Sequence, residues 1–435
     1  MGAEDIVIEG NFVDPFWSGW RQVVVNRKSG LIKEVYLERI TLQPDWAFGT
    51  KLLFPGFVDL HVHAREDTSG KHNYKEDFFT AGEAALNGGV IAIAEMPNNP
   101  IPPVDAESYA AKEELAEKCA VPVLLYAGIG PGTRPFKREG RDVPYKVFMD
   151  ASFGGLGFSS RSELEQAVSS YHRQAISFHC EDPEILAKYK DEPTHEQRRP
   201  AKAEVEAIKF ALELTERYDL QTKICHLSTA EGLELCTQAK RRGLPVTIEV
   251  TPHHLYFDQG NLTAENRHLL QMNPPLRSLR DRVALMEALK RGEIEYLVTD
   301  HAPHTLAEKE TGVSGVPHLD TYGLFAAELI TSLRVSKEMV ARICAYNPGM
   351  FMNKFLGTNF GRIASGYLGM FVEIDKYGET IVNTDYLRTK CGWSPFENIP
   401  FPSEEFPFEA RVNVFDPLDP QKLNPKNLEV FFQFS

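Results

Sequence analysis

The chain has 435 residues, 43% of them hydrophobic, which is enough to bury a large core. It carries 47 Lys and Arg against 61 Asp and Glu, a net charge of −14. That balance excludes a sequence-independent binder of nucleic acid or anionic membrane, which needs a positive field, and an anionic substrate would need a local cation. The opening MGAEDIVIEG has neither a basic stretch nor an apolar run, so no secretory signal is predicted. Apolar stretches such as VPVLLYAGIG from Val121 are about half a membrane span. Six cysteines (119, 180, 225, 236, 344 and 391) are scattered without a CxxC pair, which predicts a reduced, cytoplasmic enzyme.

In chain order, residues 1–53 hold short alternating strand patterns (IVIEGNFV, RQVVVNRKSGLIKEVYL) and no long helix. Eight apolar, β-branched or aromatic runs follow at 57–63, 90–96, 121–127, 145–149, 175–180, 222–227, 245–251 and 294–300. They lack period-2 alternation, as expected of parallel strands buried on both faces. Segments 106–120, 203–218 and 281–293 show apolar spacings of three and four, the helical pattern. Gly88-Gly89 and Gly243 stand where helices would end before strands. Eight β-then-α units fit a (β/α)8 TIM barrel; an open doubly wound sheet shares the alternation. Residues 360–435 return to strand patterns and end in a Pro- and Phe-rich tail. The expected α/β architecture is therefore a barrel over 54–359 and a small β-sandwich domain built from both termini, 1–53 and 360–435.

Polar residues cluster where these strands end, the edge at which barrels carry their chemistry. Strand one ends in His61, His63 and Arg65, strand five in His179, strand six in His226, and strand eight in Asp300, His301 and His304. His61 and His63 share one side of their strand, and two imidazoles there can share a cation such as Zn2+. A core histidine is the commoner role for any one of these. That reading would have to hold at four strand ends and also account for Asp300. Lys146 lies inside an apolar strand. Its stem can lie in the core with the head reaching water or a salt bridge. Alternatively a neutral amine there can add carbon dioxide, giving a carbamate able to bridge two metals.

The segments PGFVDLHVHAR (55–65), HCE (179–181), HLST (226–229) and TDHAPH (299–304) resemble the amidohydrolase superfamily. Within it, His63-Ala64-Arg65, Met96-Pro97-Asn98, Met272-Asn273-Pro274-Pro275-Leu276-Arg277 and Asp300-His301-Ala302-Pro303-His304 are similar to the dihydroorotase family, over about residues 50–375. The resemblance implies that His61, His63 and Asp300 hold one zinc and His179 and His226 a second. Carboxylated Lys146 and a hydroxide would bridge them. Some relatives replace that lysine by an Asp in an FSDDG-like segment; here Gly157-Phe158-Ser159-Ser160 has no acid. Asp300 would shuttle a proton as N-carbamoyl-L-aspartate closes reversibly to L-dihydroorotate, a step of pyrimidine biosynthesis. Arg65, Asn98, Asn273 and His304 would bind the substrate. Asn98, in MPNNP, also suits a turn.

Arg277 is expected in a structural or rim salt bridge, His253 and His254 as structural neighbours, and His301 as orienting Asp300 or a ligand. The family's PGLET after strand eight reads Pro317-His318-Leu319-Asp320-Thr321 here, so His318 could reshape the pocket. Segment 305–320 reads as a lid or a surface loop. The resemblance further implies a small-molecule substrate and, by family habit, a homodimer. The alternatives are another cyclic amidohydrolase (dihydropyrimidinase, hydantoinase or allantoinase) and a non-catalytic subunit of an aspartate transcarbamoylase complex. Relatives of the first kind generally lack Arg65 and the MPN segment, and those of the second have usually lost metal ligands.

Overall fold

A computed structural model describes residues 5–150, 155–378, 380, 382–397 and 411–418. The Pro- and Phe-rich stretches expected in the small domain, 398–410 and 419–435, lie outside the described residues.

The eight apolar runs form the barrel. A three-stranded sheet holds Phe57–Val62, Val90–Glu95 and Val123–Leu125; a six-stranded sheet continues through Ala127–Ile129, Tyr145–Phe148, Ala175–His179, Gln221–Ile224, Val246–Val250 and Tyr296–Leu297. Every paired neighbour is parallel. The two sheets meet within the third strand, where Tyr126 N donates to Glu95 O and Ala127 N to Pro144 O. The other seam, between strands eight and one, has a side chain in place of a ladder. The Asp59 carboxylate accepts Thr299 N, Thr299 Oγ1 and His61 N, and one parallel bridge joins Val62 to His301. Burial raises Asp59 to about 7, against the lowering effect of those hydrogen bonds.

Two strands stop three residues short of their apolar runs. Strand six ends at Ile224 and strand eight at Leu297, because the chain then enters the left-handed region at His226 (φ 34°) and Asp300 (φ 50°). The predicted helices appear at Ala106–Ala116, Ala201–Tyr218 and Leu279–Arg291. Gly89 and Gly243 take positive φ after helices, where a Cβ would be strained.

Strands from both ends build one sheet in the order Arg411–Phe415, Phe371–Asp375, Trp46–Pro55, Asp5–Asp14, Trp17–Asn26, Ile32–Tyr36. Its side chains alternate between two cores. Phe12, Leu53, Phe371 and Phe415 join a cluster of the sheet's own. Val13, Leu52, Phe54, Val372 and Val414 join the barrel core. Between its last two strands the chain crosses to the catalytic end of the barrel. There Trp393 Nε1 donates to His304 O at 2.7 Å, and Arg388 N and Thr389 N donate to the Asp320 carboxylate. The six cysteines carry no disulfide, and no described helix is long and apolar enough to cross a membrane.

Candidate active site

The barrel brings four histidines and an aspartate into one buried cluster. His61 and His63 present Nε2 to the same atom, Asp300 Oδ1, at 3.2 and 3.1 Å. His61 Nδ1 lies 2.9 Å from Glu249 Oε2, and His63 Nδ1 2.6 Å from Asn98 Oδ1. Oxygen acceptors at both Nδ1 atoms place the ring hydrogens there and leave both Nε2 lone pairs aimed at a carboxylate oxygen. Three electron-rich atoms so arranged need a cation between them, and the N/N/O donor set suits zinc. Burial pushes His61 down to about 3 and His63 well below its ordinary value, so neither imidazole supplies the positive charge.

The second half continues directly. The His61 and His226 rings lie 5.2 Å apart, and His179 Nδ1 is 3.0 Å from His226 Nε2. His179 Nε2 is held by Glu181 at 3.0 Å. Burial would raise Glu181, but Arg199 and His179 hold it at about 2. Lys146 is completely buried in strand four, its Nζ 3.0 Å from Cys225 Sγ.

Three of the predicted site residues, Arg65, His226 and Asp300, have positive φ. Such backbone costs about 1–3 kcal/mol per non-glycine residue and persists where surrounding structure enforces it, commonly at functional sites. Here each bend turns a side chain inward just past a strand.

Arg65 is buried, with Nε donating to Pro303 O at 3.3 Å and Nη2 3.1 Å from His304 Nε2. Asn98 reaches the cluster through His63. The loop bearing Asn273 is anchored beside it: His254 Nε2 bonds Pro274 O at 3.0 Å and His195 Nε2 bonds Met272 O at 2.9 Å, and Asn273 Oδ1 is buried without a partner among the described residues.

Several neighbours differ from expectation. The His301 ring does not orient Asp300. Its Nε2 lies 3.2 Å from Glu76, and its Nδ1 accepts the backbone N–H groups of His318 and Leu319; only its carbonyl serves the site, accepting His63 N. Of the two roles expected for Arg277, structural or at a rim, its burial fits the structural one, and it donates to Ser228 Oγ and Arg199 O. His318 stacks on His253 with centroids 5.0 Å apart and packs against Phe396. Segment 305–320 is pinned by Lys309, whose buried Nζ donates to the carbonyls of Gln271, Val313 and Gly315.

Sequence reasoning missed Glu249 and Lys223. Lys223 Nζ pairs with Glu249 Oε1 and donates to Tyr126 OH at 2.7 Å. Burial would raise Glu249, yet Lys223 and His61 hold it at about 2, so a fixed carboxylate orients His61. The available signal was a Lys and a Glu inside adjacent apolar strands, the same oddity that marked Lys146.

No protein-family model matches the chain. It is 31% identical over 347 residues to the dihydroorotase of Pyrococcus furiosus, covering 80% of this chain and 77% of that protein. It is 32% identical over 375 residues to the dihydroorotase of Thermococcus kodakarensis, covering 85% and 84%. Among solved structures, L-hydantoinase from Arthrobacter aurescens superposes with a TM-score of 0.83 at 23% identity, covering 94% of each chain. At that identity the structural likeness concerns the fold, a barrel with a smaller β-sandwich domain.

Proposed function

Since the chain belongs to the dihydroorotase family, we propose that the clustered residues are its active site and catalyse the reversible cyclisation of N-carbamoyl-L-aspartate to L-dihydroorotate. The observation that carries this assignment is the convergence of the buried His61 and His63 Nε2 on Asp300 Oδ1, with the buried Arg65 guanidinium two residues past His63. His61, His63 and Asp300 would hold one zinc, His179 and His226 a second, and Lys146, carboxylated, would link them. Zinc supplies Lewis acidity and a hydroxide source at neutral pH when bound.

The protein's own residues do the rest. Glu249 and Asn98 fix the ring orientations of His61 and His63. In the hydrolytic direction water adds to the ring carbonyl carbon. Asp300 takes its proton, the C–N bond opens, and Asp300 delivers the proton to the leaving ring nitrogen. Cyclisation runs the same steps in reverse. Arg65 and His304 would bind the α-carboxylate, with Asn98 and Asn273 completing the pocket. The buried cluster excludes bulk water and strengthens each polar contact.

The division into a catalytic barrel over 54–359 and a small domain from 1–53 and 360–435 is part of the same proposal. So is a cytoplasmic location, on the absence of disulfides among the described cysteines.

Arg65 is the test of substrate choice. Arg65→Met keeps an unbranched stem as far as the position of Nε and removes the cation. The charge-assisted pair contributes about 1.5–3 kcal/mol, so most of the preference for dihydroorotate over dihydrouracil should vanish while bound zinc stays at the wild-type level. Steady-state rates on both rings, with metal analysis, measure it; an unchanged preference would place the carboxylate elsewhere.

A further inference from the structure

The His304 ring lies between two donors, with Glu308 Oε2 3.6 Å from Nδ1, beyond hydrogen-bond distance. Arg65 Nη2 is 3.1 Å from its Nε2, and Lys75 Nζ is 3.2 Å from its Nδ1. Guanidinium and ammonium groups only donate, whereas a neutral imidazole offers one acceptor nitrogen and one N–H. Burial and the two cations push His304 down to about 2, so the ring is neutral. One of the two contacts therefore sets donor against donor. Neither cation is free to turn away. Lys75 also donates to Glu308 Oε1 at 2.8 Å, and Glu308 is fixed by Tyr74 OH and by the backbone N–H of Thr305. Arg65 is held by Pro303 O. Lys75, Arg65 and His304 are all buried, and Trp393 Nε1 grips the His304 carbonyl.

We propose that Lys75 is a positioning residue that sets the His304 tautomer for an incoming carboxylate. Lys75 Nζ–H donates to Nδ1, the ring hydrogen sits on Nε2, and the carboxylate enters between Nε2–H and the Arg65 guanidinium, accepting from both. This inference rests on the reading of Arg65 and His304 as the carboxylate pocket. A carboxylate turns the opposed donors into two charge-assisted hydrogen bonds, the one from Arg65 also an ion pair. A ring without a carboxylate leaves the opposition in place, so selectivity gains a penalty against the wrong substrate as well as an attraction to the right one. Lys75 acts through His304 and does not touch the substrate.

Lys75→Met removes the donor at similar length. KM for dihydroorotate should rise about tenfold, the worth of one buried hydrogen bond, with kcat and zinc content within about twofold of wild type. Lys75→Arg restores a donor and should recover most of the loss. Nitrogen NMR of histidine-labelled protein with dihydroorotate reads the tautomer directly, the His304 signal being assigned by its disappearance in His304→Asn. Hydrogen on Nε2 in wild type is the expected result, and hydrogen on Nδ1 overturns the proposal without any Lys75 variant. If His304→Asn raises KM and Lys75→Met does not, the role of Lys75 falls and the pocket stands. If neither changes KM, the carboxylate pocket itself is misplaced.

Discussion

Asp300→Asn is expected to lower turnover of dihydroorotate by at least ~10²-fold, the scale of a lost general base, while bound zinc stays close to the wild-type amount. The substitution keeps the shape of the side chain and one oxygen donor. It removes the second oxygen's capacity to take a proton and pass it to the ring nitrogen. Asp300 is placed for that task by its left-handed backbone just past strand eight, with the Asp59–Thr299 seam fixing the residue before it. Its Oδ1 already meets His61 and His63, so in the proposed site the cation and the proton carrier would share one carboxylate. Turnover and metal content measured on the same preparation separate the two roles. A variant within a few-fold of wild type would remove Asp300 as the proton carrier.

Lys146→Ala is expected to lower bound zinc and activity together, and short carboxylates added to the buffer should restore part of both. Lys146 is completely buried, and its Nζ meets the Cys225 thiol at 3.0 Å and the Phe148 ring, with no carboxylate paired to it among the described residues. A full ammonium held there carries a heavy desolvation cost, which a carbamate bridging two cations would relieve. Mass spectrometry of the native protein should show the carbon dioxide adduct on Lys146. Full zinc and full rate in Lys146→Ala would exclude the bridging role.

Much of this site could be read from the chain because its groups sit at the ends of strands, where two-residue spacing puts side chains on one side. His61, His63, His179 and His226 were legible for that reason. What was not legible depends on crossings between elements distant in sequence. Glu249 meets His61 only because strand seven reaches across the barrel, and Lys223 meets Glu249 only through the register of strands six and seven. Lys75 lies in a loop whose sequence shows no periodicity, and it finds His304 through more than two hundred intervening residues. The ends of strands six and eight were read too long, because hydrophobicity continues past the point where positive φ breaks the ladder. His301 was expected to orient Asp300 or a ligand; Glu76 and the backbone after strand eight claim its ring, and it meets His63 through its carbonyl. The small domain's alternation predicted strands correctly but not that residues 386–396 would leave it to brace His304 and Asp320.

In the proposed reaction a buried cation, Arg65, selects a ring carrying a carboxylate at the His61–His63–Asp300 cluster, despite a chain charge of −14. The most direct test is kcat/KM of the zinc-loaded wild-type protein on L-dihydroorotate and on dihydrouracil, which share the scissile ring amide and differ in the carboxylate. The expected result is a preference for dihydroorotate of at least ~10²-fold, from the charge-assisted pair together with the cost of leaving the buried Arg65 unpaired against dihydrouracil. Equal use of the two rings would contradict it and point to a dihydropyrimidinase-like specificity.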